Sequence, residues 1–328
     1  MVWLELVICI TIIFFAGRRV AIYGDIIAFK TKLGGLWIGL VLISIITSLP
    51  ELFTGISAIS IVDAPDLTVG NLLGANTFNL LNLAFLDIAS RKQSIMNLAG
   101  RGQRLTGWFS IILVGVVAFS LLIQPRLDLR LGWLGWTTPI IFILYLLFVR
   151  QIFLIERRNG VPKLTESRYA DTSLKKTFVF FAVSAVLIAG SGIWLATIGD
   201  RIAAFTGLGE NFVGSLFIGL TTTLPEITVS YTALRMGSTD LAISNMIGSN
   251  MFNMFLVFID DLIYTKGPIF DAVSPNNLIT AGTIIAMTLI TLAALDLKPR
   301  RFHRVSWYNL PVILVFLVGT YISYRLNI

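Results

Sequence analysis

Long apolar runs recur along the whole chain and are separated by short segments that carry most of the charged residues. A run of about 20 apolar residues is long enough to cross a bilayer core of roughly 30 Å as an α-helix. Such runs predict ten membrane-spanning helices, at roughly 2–20, 35–61, 66–88, 106–124, 132–154, 176–196, 210–234, 240–263, 276–296 and 306–325. The pattern is therefore typical of an all-α polytopic membrane protein.

The two halves of the chain repeat each other. Residues 24–51 align without a gap with residues 199–226, with 13 identities in 28 positions. Residues 66–79 align with residues 240–253, with 7 identities in 14 positions. Each half contains five predicted spans, and an odd number of spans gives the second half the opposite orientation in the membrane. The sequence therefore predicts two inverted-topology repeats, an architecture found in many secondary transporters.

Basic residues are distributed unevenly between the two sides that alternating spans create. One side collects 20 of the 25 Lys and Arg residues. By the positive-inside rule this side is cytoplasmic, so both termini are predicted to be extracytoplasmic. The chain then divides into a first repeat at 1–155, a cytoplasmic linker at 156–175 and a second repeat at 176–328. We expect a multi-pass protein of the cell membrane.

Composition narrows the classes of function. Hydrophobic residues make up 56% of the chain and charged residues 13%. The net charge of +7 lies in the gaps between spans, without interleaved aromatic residues, and this indicates lipid head groups and not nucleic acid as a partner. The chain has one cysteine, Cys9, and one histidine, His303, which excludes a Cys/His metal cluster. No cofactor is expected.

Two segments break the apolar pattern at equivalent positions of the repeats: ITSLPELFTG from Ile46 and TTTLPEITVS from Thr221. Proline removes a backbone N–H group, so each helix is predicted to be interrupted near its middle, with free carbonyl groups. A glutamate in the middle of a span is costly to bury and is by default a functional residue. Glu51 and Glu226 are therefore candidate cation ligands.

Side-chain oxygens surround each glutamate in the predicted helices. Thr47 and Ser48 lie four and three residues before the first glutamate, and Thr222 and Thr223 lie at the same spacing before the second. The next span of each repeat carries two asparagines three residues apart: Asn76 and Asn79 in the first repeat, and Asn250 and Asn253 in the second. Small residues there, Gly74 and Gly248, would let the helices approach closely. Hard oxygen ligands without sulfur or imidazole suit Na⁺, K⁺ or Ca²⁺.

Several aspartates near the span ends are interpreted as structural. Asp66 and Asp240 precede spans and are predicted to cap helix N-termini. Asp25 and Asp200 are placed in connections between spans. The remaining acids of this group fall at span ends, near a membrane interface, and are not expected to be ligands: Asp87, Asp260 and Asp261.

These motifs resemble those of the calcium/cation antiporter superfamily, which includes the sodium/calcium exchangers. Its paired repeats read G-[ST]-S-x-P-E and then G-N-x-x-G-S-N-x-F-N, and this chain has TSLPE with GNLLGANTFN and TTLPE with SNMIGSNMFN. The resemblance implies that Glu51 and Glu226 are the central ligands. It implies that seven further residues line the ion sites: Thr47, Ser48, Asn79, Thr222, Thr223, Ser249 and Asn253.

The chain departs from the family pattern in both repeats. Ile46 and Thr221 replace the glycine before the hydroxyl pair, and Ala75 replaces the serine of the G-S-N motif in the first repeat. The loss of this hydroxyl predicts that a sodium site is weakened or missing.

The sequence predicts a secondary active antiporter that exchanges Na⁺ for Ca²⁺ by alternating access. A proton-coupled or potassium-involving exchanger is the nearest alternative. An intramembrane aspartyl protease is a more distant one, because the nearest matches to its motif, YGD at 23–25 and IGD at 198–200, lack the first glycine of G-x-G-D. We expect a transporter and not an enzyme.

Overall fold

The chain is helical almost throughout. The computed structural model describes residues 2–90, 93–127, 129–159, 169, 172–206, 219–303 and 305–326, and helices are numbered within these residues. The first repeat contains α1 (Val2–Thr31), α2 (Gly34–Val62), α3 (Pro65–Ala89), α4 (Arg101–Ile123) and α5 (Thr138–Asn159). The second contains α6 (Leu174–Thr206), α7 (Leu224–Arg235), α8 (Thr239–Ile263), α9 (Asn277–Leu297) and α10 (Asn309–Leu326). The prediction of ten helices in two repeats of five is confirmed.

The repeat extends to the connections. An antiparallel hairpin joins the fourth and fifth helices of each half: β1 (Arg130–Leu131) with β2 (Leu134–Gly135), and β3 (Arg301–Phe302) with β4 (Val305–Ser306). The third and fourth helices are joined through 3₁₀ turns at Ile95–Asn97 and Ile269–Asp271. A further 3₁₀ turn, Gln124–Arg126, follows α4. The helices α5 and α10 begin later than predicted because the hairpins occupy the preceding residues.

The first helix of each repeat is longer than hydropathy predicted. The helices α1 and α6 have 30 and 33 residues, which corresponds to roughly 45 and 50 Å at 1.5 Å per residue. Hydropathy marks the end of the apolar surface and not the end of the helix, because helical turns outside the bilayer carry polar residues. Asp25 and Asp200 therefore lie in helices, and the prediction that they fall in connections is wrong. The predicted seventh span, 210–234, begins outside the described residues.

The third helices of the two repeats, α3 and α8, form the centre of the molecule. Of their most apolar 18-residue windows, 78% and 83% is buried, compared with 28% for α5. They are joined by a reciprocal pair of hydrogen bonds, in which the side-chain amide of Asn76 donates to the Asn250 carbonyl oxygen and that of Asn250 to the Asn76 carbonyl oxygen, each at 3.2 Å. This reciprocity places the pseudo-two-fold axis between α3 and α8.

Glycines bring α2 and α8 together backbone to backbone. A Cβ atom on Gly248 would lie 2.6 Å from Leu40 Cα, and one on Gly39 would lie 2.8 Å from the Leu241 carbonyl oxygen. No larger residue fits at either position without moving a helix. The prediction that Gly248 permits a close helix approach is confirmed.

Two buried aspartates join the two repeats through hydrogen bonds. At the end of α3, Asp87 accepts hydrogen bonds from the Ile95 backbone N–H group at 2.7 Å and from the Ser306 hydroxyl of the other repeat at 2.6 Å. At the equivalent end of α8, Asp261 accepts from the Ile269 N–H group at 2.7 Å and from the Gly135 N–H group of the other repeat at 2.9 Å. These two acids are therefore structural, as predicted, although both are fully buried.

Asp66 and Asp240 lie in the first turns of α3 and α8 but do not cap them, so that prediction is wrong. The N-cap residues are Ala64 and Ser238, and neither helix has a side-chain cap. Each aspartate instead reaches a neighbouring element. Asp66 accepts hydrogen bonds from the 274–277 connection, and Asp240 accepts one from Gln103.

Candidate cation site

The helix α2, and the helical residues 219–222 that lead into α7, are interrupted at equivalent positions. Ser48 has φ −92° and ψ 11°, and Thr223 has φ −82° and ψ 0°, both outside the helical region. Pro50 and Pro225 follow in the first turn of the next helical segment and cannot donate to the carbonyl groups four residues earlier. The predicted interruptions are confirmed, and each lies three residues before a glutamate.

Glu51 and Glu226 lie in the first turns after these interruptions, and both are completely buried. One of their four carboxylate oxygens, Glu226 Oε1, accepts a hydrogen bond from the Ser48 hydroxyl at 3.1 Å. The other three accept none from the part of the chain that the structure describes. Within that part, no Lys or Arg pairs with either glutamate. Buried carboxylates without basic partners are costly in a bilayer, so this pair suits a bound cation.

Side chains from both repeats meet around Thr47. Its hydroxyl lies 3.4 Å from the Ser249 hydroxyl of α8 and donates to Asn245 Oδ1 at 3.3 Å. Thr47 also lies beside Glu226. The first half of α2 therefore supplies its hydroxyl groups to the glutamate of the other repeat.

The two threonines of the second repeat differ in their contacts. Thr222 lies beside the Glu51 carboxylate, without the geometry of a full hydrogen bond. Thr223 donates to the carbonyl oxygens of Gly219 and Leu220 in its own helix, at 3.0 and 3.1 Å. The Thr222 hydroxyl also donates to the Gly219 carbonyl oxygen, at 3.5 Å. The structure thus brings Thr222 to a glutamate, whereas the Thr223 hydroxyl contacts only its own helix among the described residues.

The four asparagines of α3 and α8 separate into two kinds. Asn76 and Asn250 join the helices and are structural. Asn79 is buried, and neither its amide nitrogen nor its oxygen has a partner among the described residues. The amide nitrogen of Asn253 donates to Asn76 Oδ1 at 3.0 Å, which leaves Asn253 Oδ1 without a partner in the described chain. Among the described residues, the side-chain oxygens of Asn79, Asn250 and Asn253 have no partner, and Asn79 and Asn253 are the two of these that do not join the helices through their backbone contacts.

Two asparagines of this region were not singled out from the sequence, Asn71 and Asn245. The side-chain amide of Asn245 donates to the Ser230 hydroxyl at 2.9 Å and to the Glu226 carbonyl oxygen at 3.3 Å. Asn71 holds the equivalent position in α3 and is buried, with no partner for either amide atom in the described residues. The repeat contains the signal, because this asparagine is one of the identities between 66–79 and 240–253.

The matching family model is that of the sodium/calcium exchanger protein, and it covers residues 1–151 and 176–326. This chain belongs to the sodium/calcium exchanger family. The family consists of membrane transporters and not of enzymes, so the prediction of a non-enzymatic antiporter-like protein is confirmed and the aspartyl protease alternative has no support.

Individual relatives agree with this membership. The chain is 26% identical to the inner membrane protein YrbG of Escherichia coli over 273 residues, which is 80% of each chain. It is 26% identical over 301 residues to the sodium/calcium exchanger MaX1 of Methanosarcina acetivorans, covering 81% of this chain and 83% of that one. The fold matches a solved structure of the sodium-calcium exchanger NCX_Mj with a TM-score of 0.71 at 17% identity, over 97% and 98% of the two chains.

The arrangement supplies the oxygen ligands that hard cations prefer. Two carboxylates match the charge of one Ca²⁺, and hydroxyl and amide oxygens are further ligand types that this ion accepts. Subsets of the same oxygens, with fewer ligands for each ion, suit Na⁺. Both helix interruptions lie near the glutamates, so the backbone there does not form a continuous helix.

Proposed function

We propose that this member of the exchanger family exports Ca²⁺ in exchange for Na⁺ by alternating access, with Glu51 and Glu226 as the shared ligands. The observation that carries the proposal is the pair of buried carboxylates, equivalent in the two repeats, with three free oxygens and no basic partner in the described chain. We assign the accessory oxygens to Thr47, Ser48, Asn79, Thr222, Thr223, Ser249 and Asn253. Among these, the hydroxyl of Thr223 must turn away from its own helix in order to bind an ion.

Competition for one set of oxygens couples the two ion fluxes. Ca²⁺ and Na⁺ cannot occupy the two carboxylates together without an excess of positive charge in a low-dielectric site. Each ion therefore leaves before the other binds. The site changes its exposure from one face of the membrane to the other only with an ion bound. No cofactor takes part in this cycle.

A proton or K⁺ in place of Na⁺ is the second candidate for the coupling ion. A buried carboxylate takes up a proton readily, and Ala75 removes one hydroxyl that a sodium site would use. The number of remaining hydroxyl and amide oxygens favours Na⁺. The name of the relative MaX1, a sodium/calcium exchanger, supports the same choice.

The test is Ca²⁺ uptake into proteoliposomes that contain the purified protein, under separate gradients of Na⁺, K⁺ and protons. Uphill Ca²⁺ movement driven by a Na⁺ gradient alone is the expected result. Movement driven only by a pH gradient, or only by K⁺, would contradict Na⁺ coupling. Ca²⁺ flux that merely follows its own gradient would indicate a channel.

We further propose that the protein lies in the cell membrane in contact with lipid, with both termini extracytoplasmic. The proposed units are a first repeat at 1–155, a cytoplasmic linker at 156–175 and a second repeat at 176–328. The distribution of Lys and Arg supports this orientation. Single cysteines introduced into a variant without Cys9 test it. A cysteine at position 163, within the linker, should resist membrane-impermeant reagents in intact cells, and its labelling there would contradict the orientation.

A further inference from the structure

A third acid, Asp260, is buried in the membrane-spanning part of the protein without a partner among the described residues. It lies in the last turn of α8 and is 1% exposed. Neither of its carboxylate oxygens accepts a hydrogen bond from any residue that the structure describes. The next residue, Asp261, is also buried, but it accepts hydrogen bonds from Gly135, Thr138 and Ile269. Asp260 therefore lacks the structural role that Asp261 has.

Gly55 of α2 lies directly against the Asp260 carboxylate, and the methyl group of Thr68 of α3 lies against the same face of Gly55. A Cβ atom on Gly55 would lie 2.9 Å from Asp260 Oδ1, 3.2 Å from Asp260 Oδ2 and 3.1 Å from Thr68 Cγ2. The Thr68 hydroxyl donates to the Gly55 carbonyl oxygen at 3.4 Å. The Gly55 carbonyl oxygen also accepts from the Ala58 backbone N–H group. A carboxylate without a partner in the described chain therefore lies beside a bonded hydroxyl and carbonyl group where three helices come together.

The other repeat does not build this cluster. The residues equivalent to Gly55, Thr68 and Asp260 are Ser230, Ala242 and Leu86. The hydroxyl of Ser230 occupies the space that Gly55 leaves open, and it accepts a hydrogen bond from Asn245 at 2.9 Å. The carboxylate is therefore present on one side of the pseudo-two-fold axis and absent on the other.

The cluster lies between the central site and one end of the helices. Gly55 follows Glu51 by four residues in one helix, a distance of about 6 Å along its axis. On α3, Thr68, Asn71 and Asn79 share one face, since their spacing follows the helical period. The buried amide of Asn71, without a partner in the described chain, lies on the stretch between the other two. A polar face therefore leads from the third acid to the central oxygens.

The electrostatic surroundings of Asp260 favour a positive charge. The C-terminal end of a helix carries a partial negative charge, and Asp260 lies in the last turn of α8. The following carboxylate, Asp261, adds to this potential. The next basic residue along the chain, Lys266, bonds to Asp63 at 2.5 Å. In the described residues no Lys or Arg pairs with Asp260.

We propose that the Asp260 carboxylate, together with the Thr68 hydroxyl, forms an accessory site for Na⁺ beside Gly55, between the central site and the membrane face at which α2 and α8 end. One carboxylate balances one monovalent charge, whereas Ca²⁺ takes six to eight oxygens. Na⁺ that enters from this face occupies the accessory site before it reaches Glu51 and Asn79. The inference rests on the proposed Na⁺/Ca²⁺ exchange. It gives one access route an additional Na⁺ site that the opposite route lacks.

Equilibrium binding of radiolabelled Na⁺ to the purified full-length protein tests the site without transport. Asp260→Asn keeps the side-chain shape and removes the charge, and it should weaken one class of bound Na⁺ by about tenfold or more. Gly55→Ala places a methyl group against the carboxylate and should weaken the same class. Asp296→Asn, at an exposed aspartate, and Gly282→Ala, where nothing lies within 4 Å, are the matched controls and should leave Na⁺ binding unchanged.

Sidedness provides the second measurement. In proteoliposomes of known orientation, Asp260→Asn should raise the half-saturating Na⁺ concentration at the face where α8 ends, and at the opposite face by less than about twofold. Na⁺ binding and sidedness equal to those of the wild type would overturn the inference. So would a loss of pH dependence with unchanged Na⁺ binding, because the carboxylate would then hold a proton. A wild-type protein without Na⁺-driven Ca²⁺ flux would instead overturn the proposed function.

Discussion

The two repeats place the same glutamate after the same helix interruption, but they surround it with different partners. On the second-repeat side, Asn245 holds Ser230 and the Glu226 backbone, and Ser48 donates to the Glu226 carboxylate. On the first-repeat side, the carboxylate of Glu51 and the amide of Asn71 have no hydrogen-bond partner among the described residues. At this pair of positions, Glu226 and Asn245 are held by protein contacts, whereas the equivalent Glu51 and Asn71 side chains are open.

An internal repeat thus specifies where equivalent residues lie in the fold, but not which hydrogen bonds their side chains make. The backbone brings equivalent residues to equivalent places, while single substitutions at their neighbours decide whether a polar group is paired. Ser230 against Gly55 and Ser249 against Ala75 are such substitutions. A satisfied network holds the shape of a site, whereas free oxygens bind ions. We infer that the second-repeat side acts mainly as the scaffold and that the first-repeat side supplies more of the exchangeable ligand oxygens.

The largest effect is expected from neutralising either glutamate. Glu51→Gln and Glu226→Gln should each abolish Ca²⁺ transport, because each removes half of the charge that balances Ca²⁺. Folding should be largely retained, since removing one of two buried like charges relieves repulsion. Radiolabelled Ca²⁺ uptake into proteoliposomes measures the loss.

Glu5→Gln is the control for this pair, because Glu5 lies in α1 and bonds to Arg201, away from the site. It should transport Ca²⁺ like the wild type. Retention of more than about half of the wild-type flux in both central variants would exclude their role as ligands.

The structural aspartates offer a comparison in which the repeats should behave alike. Asp87→Asn and Asp261→Asn each place an amide where several N–H or O–H groups donate to a carboxylate. Each should lower the free energy of unfolding by about 1.5–3 kcal/mol, as expected for hydrogen bonds to a charged group. Thermal unfolding in detergent measures this loss, and Asp296→Asn serves as the control. A loss of stability in only one of the two variants would show that the two aspartates do not contribute equally to holding the repeats together.

The asparagine pair should instead separate the repeats. Asn245→Ala removes the donor to the Ser230 hydroxyl and one of the acceptors of the Thr47 hydroxyl, and it should cost about 1–3 kcal/mol of stability. Asn71→Ala removes an amide without partners in the described chain, so stability should change little while Na⁺ affinity falls. Thermal unfolding together with Na⁺ titration distinguishes the two. Equal destabilisation by both variants would contradict the contrast between the halves.

The smallest effect is expected at the departure from the family motif. Ala75→Ser gives the first repeat the hydroxyl that Ser249 supplies in the second, and a neutral oxygen ligand contributes on the order of 1 kcal/mol, or several-fold in affinity. Apparent Na⁺ affinity should therefore rise, with a smaller effect on Ca²⁺. Ser249→Ala is the matched reverse variant and should lower Na⁺ affinity. An equal shift for both ions at position 75 would indicate a packing effect, since Ala75 is fully buried.

Much of the fold follows from local patterns. Apolar run length predicts the ten helices, because the bilayer accepts only segments whose backbone is internally bonded. Proline in the middle of a span predicts the interruptions at Ser48 and Thr223, because it lacks the N–H group that a continuous helix needs. The glutamate that follows each proline marks the same positions as functional. The ends of α1 and α6 were missed because hydropathy reports the bilayer edge, and Asp66 and Asp240 were wrongly expected to cap because their partners come from elements distant in the chain.

The candidate ligands divide along the same line. The recurrence of acids, hydroxyls and amides at matched helical positions follows from the sequence, since the helical period and the repeat are both readable from one chain. Which of these groups are already bonded follows from the folded structure, because pairing depends on neighbours more than 150 residues away, as between Thr47 and Ser249. The same reason explains Asp260. Alone it reads as a residue near a helix end, and only the packing of Gly55 against it creates a buried carboxylate without a partner in the described chain.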